Sequence, residues 1–295
     1  MLFLLFYILQ QFLKLFKPNS GYIYIMKCYS YLPKHFRFFD VSLRDGLQTW
    51  KRIPTTQEKK NILHNIVNNT FTQKIEVGSI VSKKVLPQFE DTVELYHHCR
   101  KTYPNVVPFV LIPSLKMQQI ALDHKIHNMS FISSVSESFQ KKNTKMDLFE
   151  TKKQLVFLLE NCPGTSKLYV SCVNECPISG IMENKDIVKE LMEYLIMPVE
   201  EICISDTCGT LTKESFEQIL KELIPFMERE QIPVSKLSLH LHKHVVPGET
   251  QKLVSYCIEK GIYNFDVSCV EGGGCSVTMN ENQINGNISY DDFNF

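Results

Sequence analysis

Short apolar runs alternate with longer amphipathic runs along most of the chain, from about residue 36 onward. The apolar runs predict eight β-strands, at 37–42, 74–79, 106–113, 128–134, 167–173, 201–206, 236–242 and 263–269. The amphipathic runs predict a helix between each consecutive pair of strands, after Pro54 through Asn69, at about 87–101, from Ser114, and at 147–161, 184–196, 212–229 and 249–260. The pattern is therefore a repeated strand–helix unit.

This repeat indicates the fold class. Near-continuous apolar strands separated by helices are typical of a parallel sheet that is covered on both faces. Eight such units in about 250 residues predict an α/β fold of the (β/α)₈ TIM-barrel type. An open, doubly wound sheet is the alternative, but no glycine-rich phosphate-binding fingerprint follows the first strand.

The amino-terminal part of the chain does not share this pattern. Residues 2–16 are strongly apolar but contain polar interruptions, and the run is shorter than the roughly 20 residues that span a bilayer. The run also lacks the features of a signal or transit peptide. We expect an apolar extension over 1–31, followed by a catalytic barrel over 32–295. The extension is interpreted as an anchor, as an interfacial helix that contacts a membrane through residues 2–16, or as sequence that precedes a true start at Met26.

Charge and cysteine content restrict the partners and the compartment. The chain has 32 basic and 32 acidic residues and a formal net charge of zero, without a basic stripe, so we do not expect it to bind nucleic acid. Ten cysteines are dispersed through predicted strands and helices, which favours reduced thiols in a cytoplasmic protein; a mitochondrial or membrane-associated location is the alternative. Cys172 and Cys176 form a close pair, which we interpret as core or cavity-wall thiols.

Charged and polar side chains gather at the carboxyl ends of the predicted strands, which is where TIM barrels carry their active sites. Buried acids and imidazoles there need partners or a metal, because an unpaired buried charge costs several kcal/mol. The candidates are Asp40, Arg44 and Asp45 in the DVSLRDGLQ stretch, Glu76 at the second strand, Asp206 at the sixth, His240 and His242 at the seventh, and Cys275 in the EGGGCSVT loop after the eighth.

The two histidines predict a metal site. His240 and His242 are two residues apart on one strand, so both imidazoles project from the same face. Together with the Asp45 carboxylate they form a His₂Asp set, whose nitrogen and oxygen ligands suit Mg²⁺ or Mn²⁺. Zinc is chemically compatible, but a set without thiolates does not require it. The alternative is that one or both rings are hydrogen-bonded core residues.

Several longer stretches carry a family resemblance. The chain resembles the 3-hydroxy-3-methylglutaryl-CoA lyases, metal-dependent barrel enzymes with an Asp-Arg-Glu signature, from LPKHFRFFDVSLRDGLQ (32–48) to NGNISYDDF (285–293). Further matching stretches are IEVGSIVSKKVLPQ (75–88), SESFQKKN (136–143), YVSCVNECP (169–177) and ISDTCGT (204–210). RDGLQ is similar to the lyases, whereas the related Claisen-condensing synthases usually carry RDGEQ.

The resemblance implies a reaction and roles for the matching residues. It implies cleavage of 3-hydroxy-3-methylglutaryl-CoA to acetoacetate and acetyl-CoA, with an acyl-CoA thioester as substrate and a divalent cation as cofactor. The cation would be bound by Asp45, His240, His242 and Asn287, with Asn282 and Asn285 as competitors for the last position. Arg44 would neutralise the thioester enolate, Cys275 would act as a mobile acid and base, and the pocket would be lined by Asp40, Gln48, Glu76 and Asp206, the last of which we also count as catalytic.

Departures from the family pattern leave other readings open. Lys243 stands where the family usually has a carboxylate, and we expect its ammonium to weaken cation binding by repulsion. The chain stops at Phe295, so we expect a truncated eighth helix and an apolar surface on strands eight and one that needs cover from the amino-terminal run or from a second copy in a homodimer. The alternatives to the lyase are a lyase or aldolase for a different acyl-CoA or 2-oxo acid, and a catalytically silent barrel that binds a ligand.

Overall fold

A closed barrel of eight parallel strands forms the centre of the molecule. The structure is a computed structural model and describes residues 36–274 and 285–293. The strands are β1 (Arg37–Asp40), β2 (Lys74–Ser79), β3 (Val107–Leu111), β4 (Met129–Ser134), β5 (Ser166–Ser171), β8 (Glu201–Asp206), β9 (Leu237–Leu241) and β10 (Asn264–Val267), and a small antiparallel hairpin follows β5, formed by β6 (Glu175–Cys176) and β7 (Gly180–Ile181). The predicted TIM barrel is confirmed, because β1 pairs with both β2 and β10 and closes the sheet.

Helices fill the outer layer between consecutive strands. They are α1 (Asp45–Gln48), α2 (Thr56–Asn69), α3 (Thr92–Thr102), α4 (Leu115–Asp123), α5 (Glu137–Thr144), α6 (Leu148–Glu160), α7 (Asn184–Leu195), α8 (Lys213–Arg229) and α9 (Glu249–Glu259), with 3₁₀ turns at Pro87–Phe89, Val234–Lys236 and Tyr290–Phe293. The seven predicted helices are present. The second of them, α3, begins at Thr92 rather than near residue 87, because Pro87 begins a separate 3₁₀ turn. Helix α5 was not predicted; the Ser136 side chain caps it by accepting the Phe139 N–H.

The sequence determines several helix starts through capping. At α2, the Thr55 hydroxyl accepts the Glu58 N–H, and the Glu58 carboxylate accepts the Thr55 N–H in return. Asp147 and Glu150 form the same reciprocal pair at α6. Such a capping box satisfies two backbone donors that have no partner within the helix.

Among the described residues, no helix is both long and apolar enough to cross a bilayer. The predicted extension over 1–31, including residues 2–16, lies outside the described residues.

A buried ion network lies inside the barrel. The Lys167 ammonium on β5 lies 2.7 Å from Glu201 Oε1 on β8 and 2.5 Å from Asp266 Oδ1 on β10, and it lies 4.1 Å from the centre of the Phe39 ring. Lys167 and Asp266 are each 1% exposed. A buried cation with two carboxylates and an aromatic face is compensated, whereas removal of one partner would leave an uncompensated charge.

The outer surface of strands β1 and β10 is covered by the last described segment, residues 285–293. The Phe293 ring packs against Phe38 and Phe265 with ring centres 4.8 and 5.0 Å apart, and Tyr290 packs against Phe38 at 5.2 Å. Phe38 is 7% and Phe265 is 0% exposed. The segment thus covers part of this apolar surface, and cover by the amino-terminal run or by a second copy stays a prediction.

A buried carboxylate attaches this segment to β1. Asp40 Oδ2 accepts a hydrogen bond from the Tyr290 hydroxyl at 2.8 Å, and Oδ1 accepts the Ser42 N–H at 2.8 Å. The Cys269 thiol also faces Oδ2, at 3.6 Å. Burial raises the pKa of Asp40 to about 6, and the hydrogen bonds from Ser42, Tyr290 and Cys269 only partly oppose that rise. The ionised form of Asp40 is therefore a cost to the folded state near neutral pH.

Replacement of Asp40 by Asn should change how stability depends on pH. Because the pKa of Asp40 is raised in the folded state, its ionisation lowers the free energy of unfolding as pH rises from about 4 to about 6, and the loss is complete above that range. Between pH 5 and pH 7.5 the wild type should lose about 1 kcal/mol that Asp40→Asn does not lose. Urea unfolding at both pH values measures the difference. Asp123→Asn, on the exposed end of α4, is the control for loss of one carboxylate, and an identical pH dependence of wild type and Asp40→Asn would contradict the assignment.

Candidate functional site

A cavity of about 300 Å³ opens at the carboxyl ends of the barrel strands. One side is polar and carries Arg44, Asp45, Gln48, His240 and His242. The rest is mainly apolar, with side chains that lie on or after β2, β3 and β4, including Val81, Leu86, Phe89, Leu111, Ile132 and Phe139. Strand β3 lies opposite β9 in the barrel order, so the apolar wall faces the two histidines. The cavity therefore has one charged pole and one apolar wall.

The loop after β1 brings Arg44 and Asp45 to the charged pole. Strand β1 ends at Asp40, and the N–H groups of Arg44 and Gly46 both bond to the Val41 carbonyl, at 3.1 and 3.0 Å. This tight turn leads directly into α1. A Cβ at Gly46 would lie 2.5 Å from Val270 Cγ2, so only glycine fits at this position. The Asp-Gly pair of the RDGLQ stretch is thus a turn and also the start of the site.

Three buried ligand atoms face one another at this pole. Asp45 Oδ2 lies 3.7 Å from His240 Nε2 and 3.6 Å from His242 Nε2. One ligand atom from each residue falls within a set whose members are all within 4.8 Å of one another. Burial would raise the pKa of Asp45, but the Arg44 guanidinium and the two imidazoles hold it well below its usual range. Asp45 is therefore ionised at neutral pH.

The second nitrogen of each imidazole is held by a neighbouring oxygen. His240 Nδ1 lies 3.1 Å from Asp266 Oδ2, and His242 Nδ1 donates to the Asp206 carbonyl at 2.7 Å. Both Nε2 atoms are then directed toward Asp45. Metal-binding histidines usually donate their other N–H to a carboxylate or carbonyl in this way, which fixes the ring orientation and the tautomer. Burial lowers and the Asp45 carboxylate raises the pKa of His242, and the net direction is upward.

Asn287 completes the group from a distant part of the chain. It pairs with His242 in a β-bridge, and its Nδ2 donates to Asp45 Oδ2 at 3.0 Å. Two buried atoms here, Asn287 Oδ1 and His242 Nε2, have no hydrogen-bond partner among the described residues. Unsatisfied buried acceptors are costly and rare. A carboxylate, two imidazoles and an amide oxygen with unused acceptor capacity fit a divalent cation such as Mg²⁺ or Mn²⁺.

Arg44 is fixed beside the ligands by two carboxylates. Its Nε lies 2.5 Å from Glu76 Oε2 and one terminal nitrogen lies 2.5 Å from Asp45 Oδ1. The guanidinium also lies 4.9 Å from the centre of the Tyr169 ring, and the Tyr169 hydroxyl donates to Glu76 Oε2 at 3.1 Å. A guanidinium that is held on two sides keeps one orientation. A group that stabilises developing negative charge requires such a fixed orientation.

A glycine loop contacts Asp45 and Asn287, which together with His240 and His242 are called the ligand group because their atoms could hold a cation. Gly272, Gly273 and Gly274 have φ values of 150°, 131° and 90°. A Cβ on Gly273 would lie 2.5 Å from Asn287 Nδ2, and the Gly274 N–H donates to Asp45 Oδ2 at 3.0 Å. Positive φ favours glycine at all three positions, and close approach to neighbouring atoms also requires it at Gly272 and Gly273. Cys275, which follows them, and Asn282 both lie outside the described residues.

The remaining predicted site residues are placed differently. Gln48 lines the cavity, whereas Asp40, Glu76 and Asp206 are not among its lining residues. Glu76 lies behind Arg44, and Asp40 bonds to the outer segment that carries Tyr290. The Asp206 carboxylate accepts the N–H groups of Thr210 and Leu211, each at 3.1 Å, and burial raises its pKa. Asp40 and Asp206 therefore bond to segments beside the cavity and do not line it.

Two further expectations can be compared with the structure. Lys243 is exposed to solvent, whereas Asp45, His240 and His242 are buried. Solvent therefore screens the repulsion that we expected between the Lys243 ammonium and a cation in the site. Asn285 Nδ2 donates to the Cys208 carbonyl at 3.3 Å, whereas Asn287 is the asparagine that contacts Asp45.

Three residues of the site were not predicted: Lys167, Tyr169 and Asp266. A signal was present in the alternation of β5, since Lys167, Tyr169 and Ser171 all project from one face of the strand. The partners of these side chains depend on which strands are neighbours in the barrel, and the register places Lys167 opposite Glu201. No spacing within the sequence brings Asp266 to His240.

Comparisons with known proteins agree with this geometry. The sequence model of the HMGL-like family matches residues 35–292. The chain is 27% identical to the mitochondrial hydroxymethylglutaryl-CoA lyase of Macaca fascicularis, over 88% of this chain and 78% of that protein. It is 26% identical to the 3-hydroxy-3-isohexenylglutaryl-CoA/hydroxymethylglutaryl-CoA lyase of Pseudomonas aeruginosa, over 88% of this chain and 84% of that protein.

The fold agrees as well. The crystal structure of hydroxymethylglutaryl-CoA lyase from Pseudomonas aeruginosa superposes with a TM-score of 0.74 at 26% identity, and the match covers 88% of this chain and 84% of that one. The family match extends over most of the chain and includes β1 through Asn287. The chain therefore belongs to the HMGL-like family of carbon–carbon lyases.

Proposed function

We propose that the protein cleaves 3-hydroxy-3-methylglutaryl-CoA to acetoacetate and acetyl-CoA with the aid of Mg²⁺ or Mn²⁺. The observation that carries the proposal is the convergence of Asp45, His240, His242 and Asn287 next to a fixed Arg44 at the mouth of the barrel. A barrel without catalytic function has no physical need for buried acceptors that lack partners beside a buried guanidinium. The geometry thus favours the enzyme over the silent barrel.

The cation would be held by Asp45, His240, His242 and Asn287. When bound, it would supply a Lewis acid that lowers the pKa of a substrate hydroxyl and orients a substrate carboxylate. The protein contributes the preorganised ligands, because Asp266 and the Asp206 carbonyl hold the imidazoles in one orientation.

Arg44 is proposed to stabilise the enolate of acetyl-CoA that C–C cleavage releases. Its two carboxylate contacts and the Tyr169 ring leave part of the guanidinium free to line the cavity. A donor that is already oriented where charge develops costs no reorganisation during the reaction and contributes several kcal/mol in comparable sites. Gln48 lines the same pole and is proposed to contact the substrate. Asp40, Glu76 and Asp206 are proposed to support the site from behind the cavity wall.

Protonation of the enolate is proposed for Cys275. This role rests on the family resemblance, and Cys275 lies outside the described residues. The Gly274 amide immediately before it bonds to Asp45, so the chain enters Cys275 from the edge of the ligand group. An acid at this position would be close to the reacting atoms. The apolar wall opposite would limit access of water to the enolate.

The first test is a coupled assay of acetyl-CoA release from 3-hydroxy-3-methylglutaryl-CoA. We expect turnover with Mg²⁺ or Mn²⁺, its loss in EDTA, and a fall of more than about 100-fold in Asp45→Asn, because that change replaces a charged ligand by a neutral amide and so removes the anion that neutralises the cation. Asp123→Asn is the control on an exposed helix end. Full turnover in EDTA would refute the proposal, and so would the absence of turnover together with no cation binding by calorimetry.

Asp266 should act as a positioning residue for His240. In Asp266→Asn we expect the Kd for Mn²⁺, measured by calorimetry on the protein alone, to rise about 10- to 100-fold, since the carboxylate that orients the imidazole is lost. Glu201→Gln is the matched control, because it also removes a partner of Lys167 but leaves the contact with His240 intact. Equal Mn²⁺ affinities in the two variants would assign Asp266 to the ion network alone.

A second candidate substrate has a larger group than methyl at the tertiary carbon. The apolar wall formed by Leu111, Ile132 and Phe139 favours it. The hydroxyl and the carboxylate would lie at the ligand group and the thioester at Arg44, so the fourth substituent would face this wall. A relative in Pseudomonas aeruginosa is named for both the isohexenyl and the methyl substrate.

Comparison of kcat/KM for the two thioesters tests this candidate. If the wall receives the substituent, Ile132→Phe should lower kcat/KM for the isohexenyl compound by more than about 10-fold, a loss of the size that a filled apolar pocket produces. The value for the methyl compound should change less than about 3-fold. Equal losses for both substrates would show that the wall does not select at this position.

A further inference from the structure

The glycine loop, residues 272–274, is attached to the segment that directly follows α1. The Trp50 indole N–H donates to the Glu271 carbonyl at 2.9 Å, immediately before the loop. The Thr49 hydroxyl accepts the Gly273 N–H at 3.4 Å. Trp50 is itself partly buried and packs against the main hydrophobic core. The indole is therefore a fixed support for the start of the loop.

The same loop is bonded to the ligand group on its other side. The Gly272 carbonyl accepts the Asn287 N–H at 3.0 Å, and the Gly274 N–H donates to Asp45 Oδ2 at 3.0 Å. The first of these bonds fixes the backbone of Asn287, whose Oδ1 has no hydrogen-bond partner among the described residues. The second fixes one carboxylate oxygen of Asp45. The place of the loop therefore affects two members of the ligand group.

There is no room for a side chain between this loop and the end of α1. A Cβ on Gly272 would lie 2.2 Å from the Gly46 carbonyl oxygen and 3.4 Å from Trp50 Nε1, and φ of Gly272 is 150°. The loop would have to move away from Trp50 to accept one. Gly286 approaches the loop differently, because a Cβ there would lie 3.7 Å from the Gly272 carbonyl oxygen, an ordinary contact.

We propose that Trp50 is a positioning residue of the cation site. By holding the Glu271 carbonyl, it keeps the glycine loop on the ligand group, so that Asn287 and Asp45 are in place before a cation binds. Trp50 does not line the cavity and acts only through the loop. A site that is already ordered binds more tightly, because binding does not have to supply the conformational entropy of ordering it. The inference rests on the proposed function for the presence of the cation.

Trp50 also supplies the signal for the first test, because it is the only tryptophan in the chain. In cation-free protein, Gly272→Ala should move the loop away from the indole, shift its fluorescence emission to longer wavelength and increase its quenching by acrylamide. Gly286→Ala is the matched control and should keep the wild-type emission, since its Cβ fits without displacement. Circular dichroism establishes that both variants are folded. Wild-type emission and quenching in folded Gly272→Ala would overturn the proposal.

Trp50→Phe is the second test, because it keeps an aromatic ring and removes the N–H donor. We expect faster amide hydrogen exchange at residues 272–274 and a rise of about 3- to 10-fold in the Kd for Mn²⁺, measured by calorimetry on the full chain, which is the range that loss of one hydrogen bond produces. Ile53→Ala changes an exposed side chain further along the same segment and should leave both values unchanged. This test also decides the matter if Gly272→Ala does not fold.

The combination of the two measurements separates a positioning role from a merely structural one. Unchanged exchange of the loop amides in Trp50→Phe would overturn the proposal, and so would faster exchange with an unchanged Kd for Mn²⁺. If the wild type binds no Mn²⁺, the proposed cation site is refuted and this role of Trp50 with it, even where exchange and fluorescence confirm the contact between Trp50 and the loop.

Discussion

The Asp45 carboxylate is the group on which the arrangement of the site depends. A buried anion must be paired, because its desolvation costs several kcal/mol that only opposite charge and hydrogen bonds offset. Asp45 obtains these partners from three separate parts of the chain: the adjacent Arg44, the Gly274 N–H after β10, and the Asn287 amide. The two histidines of β9 face it from a fourth. Pairing of one carboxylate therefore assembles the carboxyl end of the barrel.

The charges around Asp45 continue into the barrel as an alternating series. Lys167 lies between two carboxylates, one of which, Asp266, also contacts His240. On the other side Arg44 lies between Asp45 and Glu76. Each group is held by a neighbour of opposite charge, so few side chains can rotate without breaking an ion pair. Preorganised catalysis requires such rigidity. It lowers the stability of the core, because buried charges carry a desolvation penalty that apolar side chains would not.

The segment 285–293 joins stability to chemistry. Its aromatic residues cover the outside of β1 and β10, and its Asn287 reaches the ligand group at the barrel mouth. The Asp40–Tyr290 hydrogen bond fixes the segment to β1. The same nine residues therefore cover part of the apolar surface and bring the Asn287 amide to Asp45, which couples the outer layer to the candidate site.

The sequence by itself determined the barrel, and it predicted several of the residues that meet in the candidate site. Strand and helix periods are local properties, so eight strand–helix units could be recognised without any tertiary information. The period of two on β9 puts His240 and His242 on one face, and the RDGLQ stretch places Arg44 and Asp45 at a strand end. Helix α5 was missed because the sequence analysis did not recognise Ser136 as its amino-terminal cap.

Only the tertiary structure decided which distant groups meet. Barrel closure and register bring Asp266 to His240 and Lys167 to Glu201, and neither contact follows from spacing along the chain. The raised pKa of Asp40 could not be predicted from the sequence either, because it depends on burial beneath a segment about 250 residues away. A side chain's residue type is local, whereas its burial and its partners are set by the packing of segments that are far apart in sequence.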